Sequence, residues 1–220
     1  TRRDGLMGSG NVFATSAHFL WVGDRTRQPD HAHVEYLRGL YNPIGLKCGP
    51  TLEPDGLMKL IDILDPRNEP GRLTLIARFG SDKVDKHLPK LVKAVKREGR
   101  KVIWMCDPMH GNTITASTGE KTRPLGRVRE EIERFFDIVQ GEGVHPGGVH
   151  LEMTGQSVTE CTGGAAKIVD TDLSQRYETL CDPRLNAEQS LEIAFMVADR
   201  LKGLRAARGG SSPLAATASA

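Results

Sequence analysis

The sequence alternates short apolar runs with amphipathic segments, and this alternation constrains the fold more than any other feature. The runs are rich in β-branched and aromatic residues, whereas the segments place apolar residues at helical spacing. The predicted strands span residues 17–23, 42–47, 72–78, 101–107, 147–153 and 177–182. The predicted helices span residues 30–40, 53–64, 83–97, 128–139 and 186–204, and residues 111–123 are predicted to form a long loop. About six strand–helix units in succession require a parallel sheet with helices outside it.

Polar residues at the strand ends distinguish between two α/β architectures. An open doubly wound sheet concentrates its site in one crevice, whereas a closed barrel directs every strand end toward one centre. Here each predicted strand has a charged residue or a histidine at or near its carboxyl end. These residues are Asp24 with Arg25, Lys47, Arg78, His110, Glu152 and Asp182. The pattern favours a (β/α)8 TIM barrel, of which this chain would supply about six units.

Composition divides the chain into three parts and excludes some functions. Residues 1–15 are Gly-rich and polar and are expected to be mobile, residues 16–204 form the partial barrel, and residues 205–220 form a low-complexity, disordered tail. A net charge of +2 gives no reason to expect nucleic acid or a membrane surface as partner. No apolar run approaches the ~20 residues that span a bilayer. The four cysteines lack Cys-x-x-Cys spacing, so reduced thiols in a cytoplasmic protein are expected.

The stretch KVIWMCDPMHGN, residues 101–112, illustrates how the site is built. A buried strand ends at Asp107-Pro108 and is followed closely by His110 and the flexible Gly111. Barrels place catalytic groups in this way, at the carboxyl ends of apolar strands. The alternative is that Asp107-Pro108 forms only a turn, which His110 caps.

The cations predicted at the strand ends indicate an anionic ligand. They are Arg25, Lys47 and Arg78, with Arg27 and Arg123 as outer candidates. A converging set of this kind suits a phosphate or a phosphorylated carboxylate. The alternative is that each cation pairs with a neighbouring carboxylate such as Asp24.

A second group combines one imidazole with two carboxylates. His110, Glu152 and Asp182 together make a mixed nitrogen and oxygen site that suits Mn²⁺, Fe²⁺, Co²⁺ or Zn²⁺. Acid–base use without a metal, or simple hydrogen bonding, remains open as the alternative. His150 shares the parity of Glu152 in its strand, but it is interpreted as a core histidine. Trp21 is expected to wall the pocket.

Eight ordered motifs between about Ser16 and Leu201 resemble one enzyme family. They are WVGDRTRQ, NPIGLKCGPT, GRLTLIARFG, VIWMCDPMHGNT, STGEKTR, HPGGVHLEMTG, VTEC and LCDPRLN. Together they are similar to the class II 3-deoxy-D-arabino-heptulosonate 7-phosphate (DAHP) synthases. The resemblance implies a metal-dependent TIM barrel, with Mn²⁺ as the first choice of metal. It also implies condensation of phosphoenolpyruvate with erythrose 4-phosphate in the shikimate pathway.

The resemblance also implies roles for individual residues. His110, Glu152 and Asp182 correspond to metal ligands. Phosphoenolpyruvate would be surrounded by Trp21, Asp24, Arg25, Lys47 and Arg78. Lys121, Thr122 and Arg123 would reach the phosphate of the second substrate. The expected catalytic residues are Lys47, Asp24 and His110, with Lys47 as proton donor to the new alkoxide.

The sequence departs from the family before Ser16. The resemblance implies two further strand–helix units there, together with a fourth metal ligand, a cysteine on the first barrel strand. Cys48 and Cys106 lie on the wrong strands to be that ligand. The favoured expectation is the C-terminal part of a synthase, active as a homo-oligomer or with a chain that completes the barrel. The alternatives are a degenerate homologue that binds phosphate or metal without turnover, and an open-sheet phosphate-binding module.

Overall fold

A computed structural model describes residues 1–3 and 10–207 of the chain. Its strands are β1 (Arg2–Arg3), β2 (Val12–Phe13), β3 (Leu20–Val22), β4 (Ile44–Cys48), β5 (Leu73–Ala77), β6 (Val102–Cys106), β7 (Ile114–Thr115), β8 (Lys121–Thr122) and β9 (Pro146–Val149). Its α-helices are α1 (Ala32–Arg38), α2 (Pro54–Leu64), α3 (Val84–Arg97), α4 (Leu125–Gly141) and α5 (Ala187–Ala207). Two short 3₁₀ helices span Asp24–Thr26 and Asp170–Gln175.

The centre of the fold is a five-stranded parallel sheet. Its strand order is β3-β4-β5-β6-β9, so each strand pairs with the next one along the chain. An open doubly wound sheet would instead reverse direction at a switch point. The observed sequential order is consistent with a section of a TIM barrel, and the predicted α/β class is confirmed.

The two central strands are buried on both faces. All five residues of β4 and all five of β5 are buried, which is why both read as nearly continuous apolar runs. Gly45 is required in β4 because a Cβ there would lie 2.9–3.0 Å from the side chains of Phe19, Trp21 and Ile76. The interior of the sheet is therefore packed by side chains from neighbouring strands.

The helices cover the outer face of the sheet in the predicted positions. Helix α3 buries Val84, Leu88 and Leu91 against the sheet, and the helix begins and ends within one residue of the predicted bounds. Helix α4 begins three residues before its predicted start. None of the helices in the described part of the chain is both long and apolar enough to cross a membrane.

The sixth predicted strand, residues 177–182, is wrong. In the structure this segment has no strand, and only Leu185, just beyond it, forms a single parallel bridge with Met153. Leu180 is fully exposed and therefore contributes nothing to a core. The predicted long loop at residues 111–123 also needs correction, because it contains the antiparallel hairpin of β7 and β8.

The predicted terminal segments lie partly outside the described residues, namely at 4–9 and 208–220. Within the described part of the predicted mobile segment, β1 pairs with β2 in an antiparallel hairpin. The Asn42 side chain accepts the backbone N–H of Ala14 at 2.9 Å and donates to its carbonyl at 3.1 Å. Helix α5 continues into the predicted tail as far as Ala207.

Candidate active site

A cavity of about 530 Å³ opens at the carboxyl ends of the parallel strands. The predicted site residues that line it are Trp21, Asp24, Arg25, Lys47, Arg78, His110, Lys121, Glu152 and Asp182. They converge because parallel strands in register bring all their carboxyl ends to one edge of the sheet. Of the remaining predicted residues, Thr122 and Arg123 are fully buried and are absent from the cavity wall.

Asp107 joins the cationic part of the site to its histidine. Its fully buried carboxylate forms an ion pair with the Lys47 ammonium, and it lies 2.8 Å from Nδ1 of His110. Burial alone would raise the pKa of Asp107, but the hydrogen bond from His110 and the charge of Lys47 hold that pKa well below its usual range. Asp107 is therefore an anion that orients both neighbours, and the alternative of a simple turn is insufficient.

The predicted metal ligands lie together. His110, Glu152 and Asp182 each offer one ligand atom, and these atoms lie within 4.8 Å of one another. Nε2 of His110 is 3.1 Å from Oε1 of Glu152, because Asp107 holds the opposite ring nitrogen. A carboxylate behind a histidine, with the other nitrogen directed at further ligands, is the usual arrangement in protein metal centres. The described residues therefore fit a divalent cation.

The pKa values of this cluster reflect its mutual hydrogen bonds. Those to Asp107 and Glu152 raise the pKa of His110 to about 9. The hydrogen bonds from His110 and Arg123 lower the pKa of Glu152 to about 2, although burial opposes this shift. Without a cation, a protonated imidazole therefore bridges two carboxylates.

Arg123 supports the cluster from beneath the cavity. It forms an ion pair with Glu152, and its Nε donates to the Thr113 hydroxyl at 2.9 Å. A further hydrogen bond of 2.6 Å joins its Nη1 to the carbonyl of Pro183. The structure therefore places Arg123 against a candidate metal ligand rather than toward a second phosphate.

The predicted cations have carboxylate partners in most cases. Arg78 and Arg27 lie 2.9 and 3.1 Å from the two oxygens of Asp24, and Lys121 lies 3.2 Å from Asp182. Arg25 forms no ion pair with any residue in the described ranges, and it is exposed at the cavity. The alternative of neighbouring carboxylates thus accounts for several of the pairs, but not for their convergence on one cavity.

Aromatic rings form one wall of the cavity. Nζ of Lys47 lies 5.6 Å from the centre of the Trp21 ring, and the His150 ring meets Trp21 edge-on at 5.1 Å. His150 is half-buried and lines the cavity, so its interpretation as a core histidine is wrong. Burial and the nearby Lys47 lower the pKa of His150.

The two candidate cysteines do not reach the cavity wall. Cys48 and Cys106 are fully buried in β4 and β6. Burial raises the pKa of Cys48 to about 12 and that of Cys106 well above its usual value. Metals bind the thiolate form, so neither cysteine is suited to be a fourth ligand.

Sequence reasoning missed a buried carboxylate that supports the site loops. Glu131 of α4 accepts the backbone N–H groups of Phe79 and Gly80 at 2.8 and 2.9 Å, and the Asn112 amide at 2.7 Å. The loops after β5 and β6 also touch directly, since a Cβ on Gly111 would lie 2.2 Å from the nitrogen of Gly80. An acidic residue on the apolar face of a predicted helix was the available signal.

Glu131 is expected to make stability depend on pH. Burial raises its pKa from 4.5 to about 7. The neutral form is therefore favoured in the fold, and its contribution is complete below the unfolded value and lost as pH rises through about 7. Relative to Glu131→Gln, the wild-type protein should lose on the order of 2 kcal/mol between pH 5 and pH 8 in urea unfolding. Asp137→Asn, at an exposed position of the same helix, should show no such trend.

Comparison with known proteins identifies similar sequences. A model described as the class-II DAHP synthetase family matches residues 1–198. The chain is 53% identical over 195 residues to phospho-2-dehydro-3-deoxyheptonate aldolase AroG of Mycolicibacterium smegmatis, covering 89% of this chain and 42% of that protein. It is 50% identical over 191 residues to phospho-2-dehydro-3-deoxyheptonate aldolase of Streptomyces coelicolor, covering 87% of this chain and 42% of that protein. The chain thus spans less than half the length of both relatives.

Proposed function

Because the chain belongs to the class-II DAHP synthetase family, we propose that its cavity condenses phosphoenolpyruvate with erythrose 4-phosphate to give DAHP and phosphate, the first step of the shikimate pathway. The observation that carries this proposal is the meeting of strand-end cations with the His110, Glu152 and Asp182 cluster in one cavity. Phosphoenolpyruvate needs the cations, and an aldehyde to be activated needs the metal cluster. The complete protein would be a (β/α)8 barrel.

Phosphoenolpyruvate would bind on the side of the cavity formed by β3, β4 and β5. Arg25 and Arg78 would neutralise its phosphate and carboxylate, since guanidinium groups match both anions in geometry. Asp24 would orient Arg78, which it contacts at 2.9 Å. Trp21 would cover the substrate with an apolar surface.

The reaction forms one carbon–carbon bond and breaks one bond to phosphate. C3 of phosphoenolpyruvate attacks the aldehyde carbon of the sugar, and positive charge develops at C2. Water adds at C2, and phosphate then leaves. The Lys47 ammonium would donate a proton to the new alkoxide, while Asp107 keeps that ammonium charged and in place.

The metal cluster would serve the second substrate. His110, Glu152 and Asp182 would hold a divalent cation, with Mn²⁺ our first choice and Co²⁺, Fe²⁺ or Zn²⁺ as substitutes. When bound, such an ion acts as a Lewis acid that polarises the aldehyde. Lys121, exposed at the cavity, would contact the phosphate of erythrose 4-phosphate.

A turnover assay tests this function directly. Loss of phosphoenolpyruvate absorbance would be followed with erythrose 4-phosphate and Mn²⁺, for this chain alone and in a mixture with a polypeptide that carries the remaining length of the relatives. We expect the complete set of segments to be active. Silence in both cases, together with retained binding of Mn²⁺ or phosphate, would favour a binding subunit without turnover.

The substitution Arg78→Gln is expected to weaken phosphoenolpyruvate binding by about 10- to 100-fold, as expected when a charge-assisted hydrogen bond worth 1.5–3 kcal/mol is lost. Calorimetric titration would measure this change. The matched control is Arg27→Gln, because Arg27 contacts the same carboxylate of Asp24 but lies outside the cavity wall. Equal losses in the two variants would contradict the assignment of Arg78 to the substrate.

We also propose a cytoplasmic, oligomeric protein, or one in which a second chain completes the barrel. The four cysteines are all free, which supports a reducing compartment. Sedimentation of the chain alone and in the mixture above would measure its assembly.

A further inference from the structure

The segment that carries Asp182 has almost no regular structure to hold it. Residues 176–185 contain neither a helix nor a strand, and Leu185 forms one isolated bridge. Leu180 in its middle is fully exposed. A candidate metal ligand needs a fixed position, so other contacts must supply the order that a strand end gives to Lys47 or Arg78.

Glu160 supplies those contacts from outside the cavity. Its side chain is completely buried and accepts five hydrogen bonds from this one segment. Three come from the backbone N–H groups of Glu178 at 3.2 Å, Thr179 at 2.9 Å and Arg184 at 2.8 Å. Two come from the Arg184 guanidinium, at 2.6 and 3.0 Å.

These hydrogen bonds continue directly to Asp182. The hydroxyl of Thr179, whose N–H is held by Glu160, donates to the carbonyl of Asp182 at 2.9 Å. On the other side, the backbone carbonyl of Glu160 accepts the Thr122 hydroxyl at 2.9 Å. Thr122 follows Lys121, whose ammonium lies 3.2 Å from the Asp182 carboxylate. Glu160 therefore connects to Asp182 by two short routes.

The charge of Glu160 is essential to this arrangement. Although burial opposes it, the hydrogen bonds and charge of Arg184 lower the pKa of Glu160. An ionised carboxylate only accepts hydrogen bonds, and all five of its partners are donors. A glutamine would turn an NH₂ group toward some of these donors and leave them buried without an acceptor.

We propose that Glu160 is a positioning residue that holds Asp182 as the third ligand of the metal site. This inference rests on the proposed function, since it assumes that the cluster binds a divalent cation. Glu160 itself does not contact the cavity. Its effect passes through the backbone of residues 178–184.

The variant Glu160→Gln tests the inference with two measurements that need no turnover. In metal-free protein, hydrogen exchange of a peptide covering residues 176–185 should become about tenfold faster or more, because its amides lose their shared acceptor. In calorimetric titration with Mn²⁺, affinity should fall by about 10- to 100-fold, the usual effect of removing an outer-shell partner. Phosphoenolpyruvate affinity without metal should change less than about threefold, because Arg25, Lys47 and Arg78 lie on other elements.

Matched variants make the result specific. Glu178→Gln removes an exposed carboxylate of the same segment, which contacts only Arg176 through its side chain, and should leave Mn²⁺ affinity unchanged. If Glu160→Gln does not fold, Arg184→Gln removes two of the five donors and keeps the backbone ones, and a smaller loss of Mn²⁺ affinity is expected.

Three outcomes would separate the possible failures. Faster exchange with unchanged Mn²⁺ affinity would overturn the inference, since the segment would then loosen without affecting the ligand. Equal loss of Mn²⁺ and phosphoenolpyruvate binding would also overturn it, in favour of a general structural role. Absence of Mn²⁺ binding in the wild-type protein would instead overturn the proposed metal site itself.

Discussion

Replacing Lys47 by methionine is expected to destabilise the protein by about 3 kcal/mol and to abolish phosphoenolpyruvate binding. The Lys47 side chain is 6% exposed, and it pairs with an Asp107 carboxylate that is not exposed at all. Methionine fills a similar volume but leaves a buried anion with His110 as its remaining charged neighbour. Removing one partner of a buried ion pair costs about 3–5 kcal/mol, and the retained His110 hydrogen bond places the loss at the lower end. Urea unfolding at pH 7 would measure this change.

Two further variants isolate the cause. Lys121→Met removes another lysine that pairs with a site carboxylate, but Lys121 is 60% exposed. Its loss should cost less than about 1 kcal/mol, as exposed pairs do. The double variant Lys47→Met with Asp107→Asn should recover part of the stability, because no buried charge then remains. A double variant as unstable as the sum of both single variants would contradict a charge-based explanation.

Replacing Glu152 by glutamine is expected to lower Mn²⁺ affinity by about 100-fold or more. Outer-shell partners of metal sites are worth about 10- to 100-fold in affinity, and a ligand should exceed them. Glutamine keeps the shape of the side chain but removes the charge that both His110 and Arg123 contact. Calorimetric titration, or the spin-resonance signal of free Mn²⁺, would give the affinity.

The control for this variant is phosphoenolpyruvate binding without metal. It should remain within about threefold of the wild-type value, because Glu152 lies on the metal side of the cavity. Retained Mn²⁺ affinity would refute the ligand assignment. Loss of both ligands together would indicate that the buried Arg123, deprived of its anion, has disturbed the whole site.

Much of the candidate site is predictable because strand topology alone determines it. Lys47, Arg78 and His110 each stand at or just after the carboxyl end of a strand recognisable as an apolar run. Parallel pairing in sequence order then brings them to one edge without further information. The same logic extends to Glu152, three residues beyond β9.

The parts that escaped prediction depend on contacts between residues far apart in the chain. Burial of Arg123 results from its pairing with Glu152, which periodicity cannot reveal. Residues 177–182 resemble a weak strand, yet the hydrogen bonds of their segment go to Glu160 rather than to a sheet. An isolated acidic residue such as Glu131 or Glu160 reads as surface until its donors are known.

The backbone contact between Gly80 and Gly111 has a thermodynamic consequence. It joins the loop that follows Arg78 to the loop that carries His110, and the Arg78 guanidinium also donates to the His110 carbonyl at 3.1 Å. A ligand that restrains one loop therefore restrains the other. Linkage then requires symmetry: the factor by which an anion at Arg78 tightens cation binding at His110 equals the factor by which the cation tightens anion binding. Substrate and metal would thus report on each other through two glycines that contact neither.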